Sequence, residues 1–193
     1  MYDTRKITHG SEQVAMASTT EGGTTGFVNS TGVQKFAPSV DQDTKTIYAD
    51  ATTHMSLINP KKLTIEMDNL QYNETEMAQM GYKLVNGGYV DGSGYPTFDI
   101  QRILTVQSAD GTTTQKLEVY YNATSTAYTE SDDEDEDEIN PKVYTRTLTV
   151  AGRSFDTVGN IKQFIVERTS KNASVFDTYK TKILTPTDFK SLG

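Results

Sequence analysis

Lys62-Leu63-Thr64-Ile65-Glu66-Met67-Asp68 alternates without a fault, with Leu63, Ile65 and Met67 on one side and polar residues on the other. Successive side chains of a β-strand point to opposite faces, so this is a strand with one buried face. Upstream, Lys45-Thr46-Ile47-Tyr48-Ala49-Asp50 supplies a second strand over residues 47–50. Downstream, a glycine-rich turn (Gly87, Gly88, Gly92, Gly94) leads to strands over 100–107 and 115–121, joined at Asp110-Gly111. The second of these ends in Glu118-Val119-Tyr120-Tyr121-Asn122.

Between the alternating strand and the glycines lies one short helix. Asn73 is a good N-cap, and Glu76 three residues later completes the spacing of a capping box. Met77, Met80, Leu84 and Val85 follow at i, i+3, i+7 and i+8, one helical face. Asn86-Gly87-Gly88 supplies the expected stop. A helix this short does not persist alone in water, so the methionine face is expected to pack on the sheet. Core packing is the reading of those methionines, ahead of any ligand site.

Three more strands are expected farther on. In 143–150, Tyr144, Arg146, Leu148 and Val150 share a face; further strands follow over 161–168 and 175–184, the last ending before Pro186. About seven strands, with no helices alternating between them, predict a mainly β protein. The expected architecture is an antiparallel β-sandwich or rolled barrel with one short α-helix packed on it.

Residues 1–44 are rich in Gly, Ser, Thr and Gln and show no sustained period. They are expected to form an extended or flexible N-terminal arm, with residues 45–193 as the β domain. Phe27, Val28, Val33 and Phe36 are isolated apolar residues in that arm, and with Ile47 and Tyr48 they are the candidates for contacts between subunits. Asp132, Asp133, Glu134, Asp135, Glu136, Asp137 and Glu138 form an unbroken acidic run inside a loop expected over 130–140. The formal net charge of −8 includes seven charges from this run, which leaves −1 for the rest of the chain. Like charges so crowded resist burial and must face water.

Several classes of chemistry find no support. The only two histidines, His9 and His54, lie far apart, and no G-x-S-x-G elbow is present. There is no cysteine, which removes thiol chemistry, disulfides and the usual zinc ligands. Asp133, Asp135 and Asp137 have the first three spacings of an EF-hand loop, but Glu138 replaces its glycine and Tyr144 its final glutamate. No catalytic residue, metal site or cofactor is therefore expected. Basic residues form no stripe, and Lys61-Lys62 is the one basic pair beyond Arg5-Lys6. Phosphate binding needs such cations, so nucleic acid is not expected to be held. No apolar run is long enough to insert in a membrane. The N-terminus lacks the apolar stretch of a secretion signal.

The order of these segments, with the Tyr48-Ala49-Asp50 strand ahead of a strand-helix unit and a late hairpin ending in a tyrosine pair, resembles the major tail (tail tube) proteins of long-tailed bacteriophages, in particular the group from phages of Gram-positive hosts. The resemblance implies a structural virion protein, assembled in the host cytoplasm. Its copies would associate into stacked hexameric rings, forming a tube that delivers DNA. Implied partners are further copies of itself and other tail proteins (tape measure, terminator and distal tail proteins), with DNA passing through unbound. Two alternatives remain: a β-sandwich adhesion or carbohydrate-binding module, in which Tyr89, Tyr95, Tyr120, Tyr121 and Tyr128 would stack on sugar, and the tube protein of a bacterial secretion or injection system.

Overall fold

The computed structural model describes residues 6–20, 23–49, 52–92, 94–131 and 141–192. The acidic run at 132–138 lies outside them. Strands β1 (Lys6–Thr20), β2 (Gly23–Ser30), β3 (Val33–Asp41), β4 (Thr44–Ala49) and β5 (Thr52–Ile58) come first. Strand β6 (Lys62–Asn69) leads into helix α1 (Glu74–Gln79) and the short strands β7 (Tyr82–Val85) and β8 (Gly88–Asp91). The two longest late strands are β9 (Phe98–Ser108) and β10 (Thr113–Ser125), followed by β11 (Thr129–Ser131) and β12 (Val143–Val150). Then come β13 (Arg153–Phe155), β14 (Gly159–Ile161), β15 (Gln163–Glu167), helix α2 (Ala173–Phe176) and two 3-10 turns.

One antiparallel sheet carries the fold, in the order β2-β1-β9-β10-β12-β6-β3, with β11 paired to β12 and β15 to β10. Its middle is buried on both sides. Residues 117–121 of β10 are all buried, because a different core lies against each face. Tyr120 packs with Val14, Met16, Leu63, Ile65, Met67, Phe98, Ile100, Leu148 and Val150. Its neighbour Tyr121 points the other way, among Ile103, Leu117, Val119, Phe176, Tyr179, Ile183 and Leu184. The sheet divides at this dipeptide. Before it, Lys116–Tyr120 pairs with β15; after it, Ala123–Ser125 pairs with β12. Asn122 sits at the fork with φ 56°, a left-handed conformation that asparagine tolerates, and its register with β9 slips there.

Beyond the fork, β12, β6 and β3 fold back over β9 and β10. Phe36 of β3 thereby meets Tyr120 of β10 at 5.8 Å between ring centroids, and Arg102 of β9 donates to the Phe36 carbonyl at 2.9 Å. The result is a rolled, mainly β antiparallel fold, and β2 and β3 do not pair to close it into a barrel.

Three expectations need correction. The described residues of 1–44 are not an arm, since β1, β2 and β3 are strands of the main sheet and Val14–Ala17 are buried. Gly10, Glu12 and two register shifts interrupt the alternation of β1, so the sequence shows no period although the backbone is continuous. The helix ends at Met80 rather than at Asn86, because Gly81 takes φ 90°. Leu84 and Val85 therefore leave the helix for the β7–β8 hairpin, whose turn is Asn86-Gly87 with φ 49° and 86°. Positive φ at both positions is the two-residue hairpin turn that Asn-Gly favours. Finally, 175–184 is not a strand. Phe176, Tyr179, Ile183 and Leu184 recur at i, i+3, i+7 and i+8, and α2 with the following 3-10 turn puts them against β10. Buried Gln101 fixes this segment, donating to the carbonyls of Tyr179 (2.7 Å) and Lys182 (3.0 Å) and accepting from the Leu184 amide (3.1 Å).

Candidate assembly surfaces

The end of β6 and the start of α1 share one polar core. The capping box forms as its sequence predicts, with Asn73 Oδ1 accepting from the Glu76 amide at 2.9 Å and Glu76 Oε2 accepting from the Asn73 amide at 3.0 Å. The other Glu76 oxygen accepts from Ser30 Oγ at 2.5 Å and lies 3.3 Å from Arg146 Nη2. Arg146 is 1% exposed, between the Tyr72 ring at 4.9 Å and the Phe98 ring at 6.0 Å. Burial pulls its pKa below the ordinary arginine value, and the charge of Glu76 opposes that shift. Burial likewise pushes the Tyr72 phenol up to about 12. Arg146 Nε and Gln79 Nε2 have no hydrogen-bond partner among the described residues. Arg146 thus clamps the helix to the sheet at some electrostatic cost.

Around this clamp the surface is aromatic. Tyr72, Tyr82, Tyr128 and Tyr144 form a connected set of ring contacts between 5.3 and 6.1 Å. Leu70, Tyr72, Met77, Tyr89, Tyr128 and Tyr144 line a groove of about 250 Å³. The β7–β8 hairpin stands beside it, with Leu84, Val85, Tyr89 and Val90 each 40–47% exposed. Among the described residues it pairs with no other strand.

A second polar cluster braces the middle of the sheet. Glu118 is held by Arg102 at 2.7 Å and Lys116 at 2.9 Å, and Tyr120 donates to it at 3.0 Å. Burial works against its ionisation, but these three partners prevail and its pKa is lowered. Asp99 stands at the fork, where it accepts from the Asn122 amide at 2.8 Å and pairs with Arg153 at 2.8 Å. There burial prevails, and the pKa is raised.

Among the described residues several backbone edges carry no neighbour. There β2 pairs only with β1, β3 only with β6, and β15 only with β10. The first part of β1 also lacks a partner on one side, since β2 covers it only from Val14 onward. The edges of β1 and β3 face a cleft of about 370 Å³ that contains Thr8–Ser11, Val33–Phe36 and, on its floor, Arg102, Lys116 and Glu118.

The residues singled out from the sequence meet different fates. Phe27 is half-buried against the Tyr121 core, Val28 is half-buried on β2, and Val33 and Phe36 rest on the Tyr120 core. Ile47 and Tyr48 lie in β4, and the environment of their side chains falls outside the described residues. Met77 and Met80 are buried, while Leu84 and Val85 are exposed on the hairpin. Tyr120 and Tyr121 are fully buried and unable to stack on a sugar. Sequence reasoning missed the Arg146 clamp, although an arginine on the face of Leu148 and Val150 was its mark. Among the described residues no group of three or more His, Asp or Glu side chains is placed to hold a metal ion, and no helix is long and apolar enough to cross a membrane.

No curated protein matches the chain. A family model described as a phage tail tube protein matches residues 1–189.

Proposed function

The chain belongs to the phage tail tube protein family, and from that membership we propose that its copies close into six-membered rings which stack into the tube. Membership itself makes the protein a tube-forming structural component of the virion tail, non-enzymatic, that assembles with further copies of itself. The closed ring goes one step further. The observation that carries it is the set of unpaired strand edges on β2, β3 and β15. An unpaired edge is a row of backbone donors and acceptors that readily joins another chain, and soluble monomers usually blunt it. A neighbour that pairs with one edge and offers another makes a head-to-tail contact, which closes a ring when the rotation permits.

In such a tube the exposed polar residues at the margins of the sheet meet water in the channel. A chain with net charge −8 and no basic stripe gives a lumen that repels phosphate weakly, so DNA slides without being held. Other tail proteins, such as the tape measure, terminator and distal tail proteins, would meet the tube along its lumen and at its ends. Negative-stain images of concentrated protein, with light scattering on the same sample, test the reading. Rings or tubes of one diameter with six-fold end views are expected. A monomer at every concentration and salt would overturn it, and rings of another symmetry would overturn the six-fold part.

A further inference from the structure

Among the described residues three ribbons pair only with themselves: β4–β5, β7–β8 and β13–β14. A two-stranded hairpin is at best marginally stable in water. The β13–β14 ribbon is covered through Phe155 and Ile161, which pack on the Tyr121 core, whereas Leu84, Val85, Tyr89 and Val90 of β7–β8 stay exposed. The β4–β5 and β7–β8 ribbons leave the sheet at opposite ends of β6. At the end where β6 begins, Leu63 pairs with Val40, and Ile58 closes the β4–β5 ribbon opposite Thr44. Val40 and Ile58 are 55% and 69% exposed there. At the end where β6 finishes, Asn69 pairs with Tyr144, and Leu70, the tyrosine groove and the β7–β8 hairpin follow. The eight residues of β6 separate the two ends by roughly 25 Å at the usual rise of a strand.

We infer that the β7–β8 hairpin and the tyrosine groove beside it form a docking surface for a second copy of this chain, which presents the β4–β5 end of its own β6. The inference rests on the tube reading, and it names one contact of that tube. The make-up of the surface suits a protein partner. Leu84 and Tyr89 pair across the hairpin and share the face that continues into the tyrosine groove, giving an apolar centre, with Val85 and Val90 on the ribbon's other face. Lys83, Asp91, Glu130 and Lys142 give mixed charge around it. Interfaces between proteins have this arrangement. A surface that bound its own twin would close a pair of copies and stop. Two different surfaces at the two ends of one strand instead propagate from copy to copy, as a tube requires. The remaining exposed apolar residues, such as Ile7, Val158 and Ile165, stand singly and need no partner to explain them.

The absence of native cysteine makes the test clean. Ile58→Cys and Leu84→Cys are purified separately, mixed, assembled, and treated with a short bis-maleimide. Covalent dimers are expected from the mixture in assembled samples and not from either variant alone. Dimers from Leu84→Cys alone would show twin surfaces in contact and overturn the inference, as would tubes in which the mixture stays uncrosslinked. In parallel, Leu84→Glu is expected to keep its melting temperature within a few degrees and to lower tube yield at least about tenfold, the ratio of a 1.4 kcal/mol loss. Undiminished Leu84→Glu tubes would overturn the docking surface and leave the tube reading standing. Wild-type protein that never forms tubes would overturn both. If Leu84→Glu melts early, the crosslinking result decides.

Discussion

Arg146 and Glu118 are both buried charges, and they titrate into different consequences. Among the described residues Arg146 has a single acidic partner, Glu76, and it is 1% exposed. Arg146→Ala would leave Glu76 buried with only Ser30 and the Asn73 amide for company. A loss of about 3–5 kcal/mol is expected for breaking one side of such a pair. Arg146→Met combined with Glu76→Gln should lose far less than Arg146→Ala, since no charge is stranded. Urea denaturation of the three proteins checks this, and equal midpoints for the single and double variants would deny the clamp. Glu118 faces two cations and a phenol, and its pKa lies below the ordinary value of 4.5. Its stabilisation is therefore complete above the unfolded-state value and is lost as pH falls through the folded-state value. Glu118→Gln should be about 1–3 kcal/mol less stable at neutral pH and lose less on acidification, because it has no proton to take up. Asp99 has the opposite sign. Its raised pKa disfavours the charged folded state, so its contribution improves as pH falls from that raised value toward 3.8.

At the scale of elements, the capping box is worth testing alone. Asn73→Ala should cost about 1 kcal/mol, read as a drop of roughly 2–4 °C in melting temperature. Replacing Asn86-Gly87 with Ala-Ala should open only the β7–β8 hairpin, as neither strand pairs with the main sheet. Protease cutting confined to residues near 86, with the melting temperature held, is the expected pattern. Deleting residues 6–20 should prevent folding altogether, because β1 lies between β2 and β9 with Val14–Ala17 inside. The same elements show what could be read beforehand. Strands β6, β9, β10 and β12 were legible because each holds strict alternation or a run of β-branched and aromatic residues beside a turn signal. Strand β1 was hidden by its glycine and its bulges, since alternation is lost wherever two residues face one. The end of α1 was hidden because Leu84 and Val85 fall at helical spacing by chance. Only Gly81, a less conspicuous stop than Asn86-Gly87-Gly88, marks the true end. Of the assembly surface, the tyrosines were visible, but their convergence depends on contacts between residues 72 and 144 that no local pattern reports.

For the whole molecule, charge sets how copies meet. Each copy carries −8, mostly on the run Asp132–Glu138, so association opposes a repulsion that salt screens. Tube yield should rise with ionic strength from about 0.01 to 0.15 M, as the screening length falls from roughly 30 to 8 Å. Replacing the seven carboxylates with Asn and Gln should flatten that rise, with the largest gain at the lowest salt. Sedimentation across a salt series measures both, and loss of assembly in the neutralised protein would show that the run binds a basic partner instead of repelling its like. The pair Tyr120-Tyr121 has a separate effect on how the chain comes apart. Consecutive residues of one strand each anchor a different core, and neither ring can leave without moving the backbone that positions the other. The two layers therefore cannot melt in turn. Heating a monomeric sample in a calorimeter should give one endotherm whose van't Hoff and calorimetric enthalpies agree. Tyr120→Ala and Tyr121→Ala, though they empty opposite sides of the sheet, should each shift that single peak without splitting it.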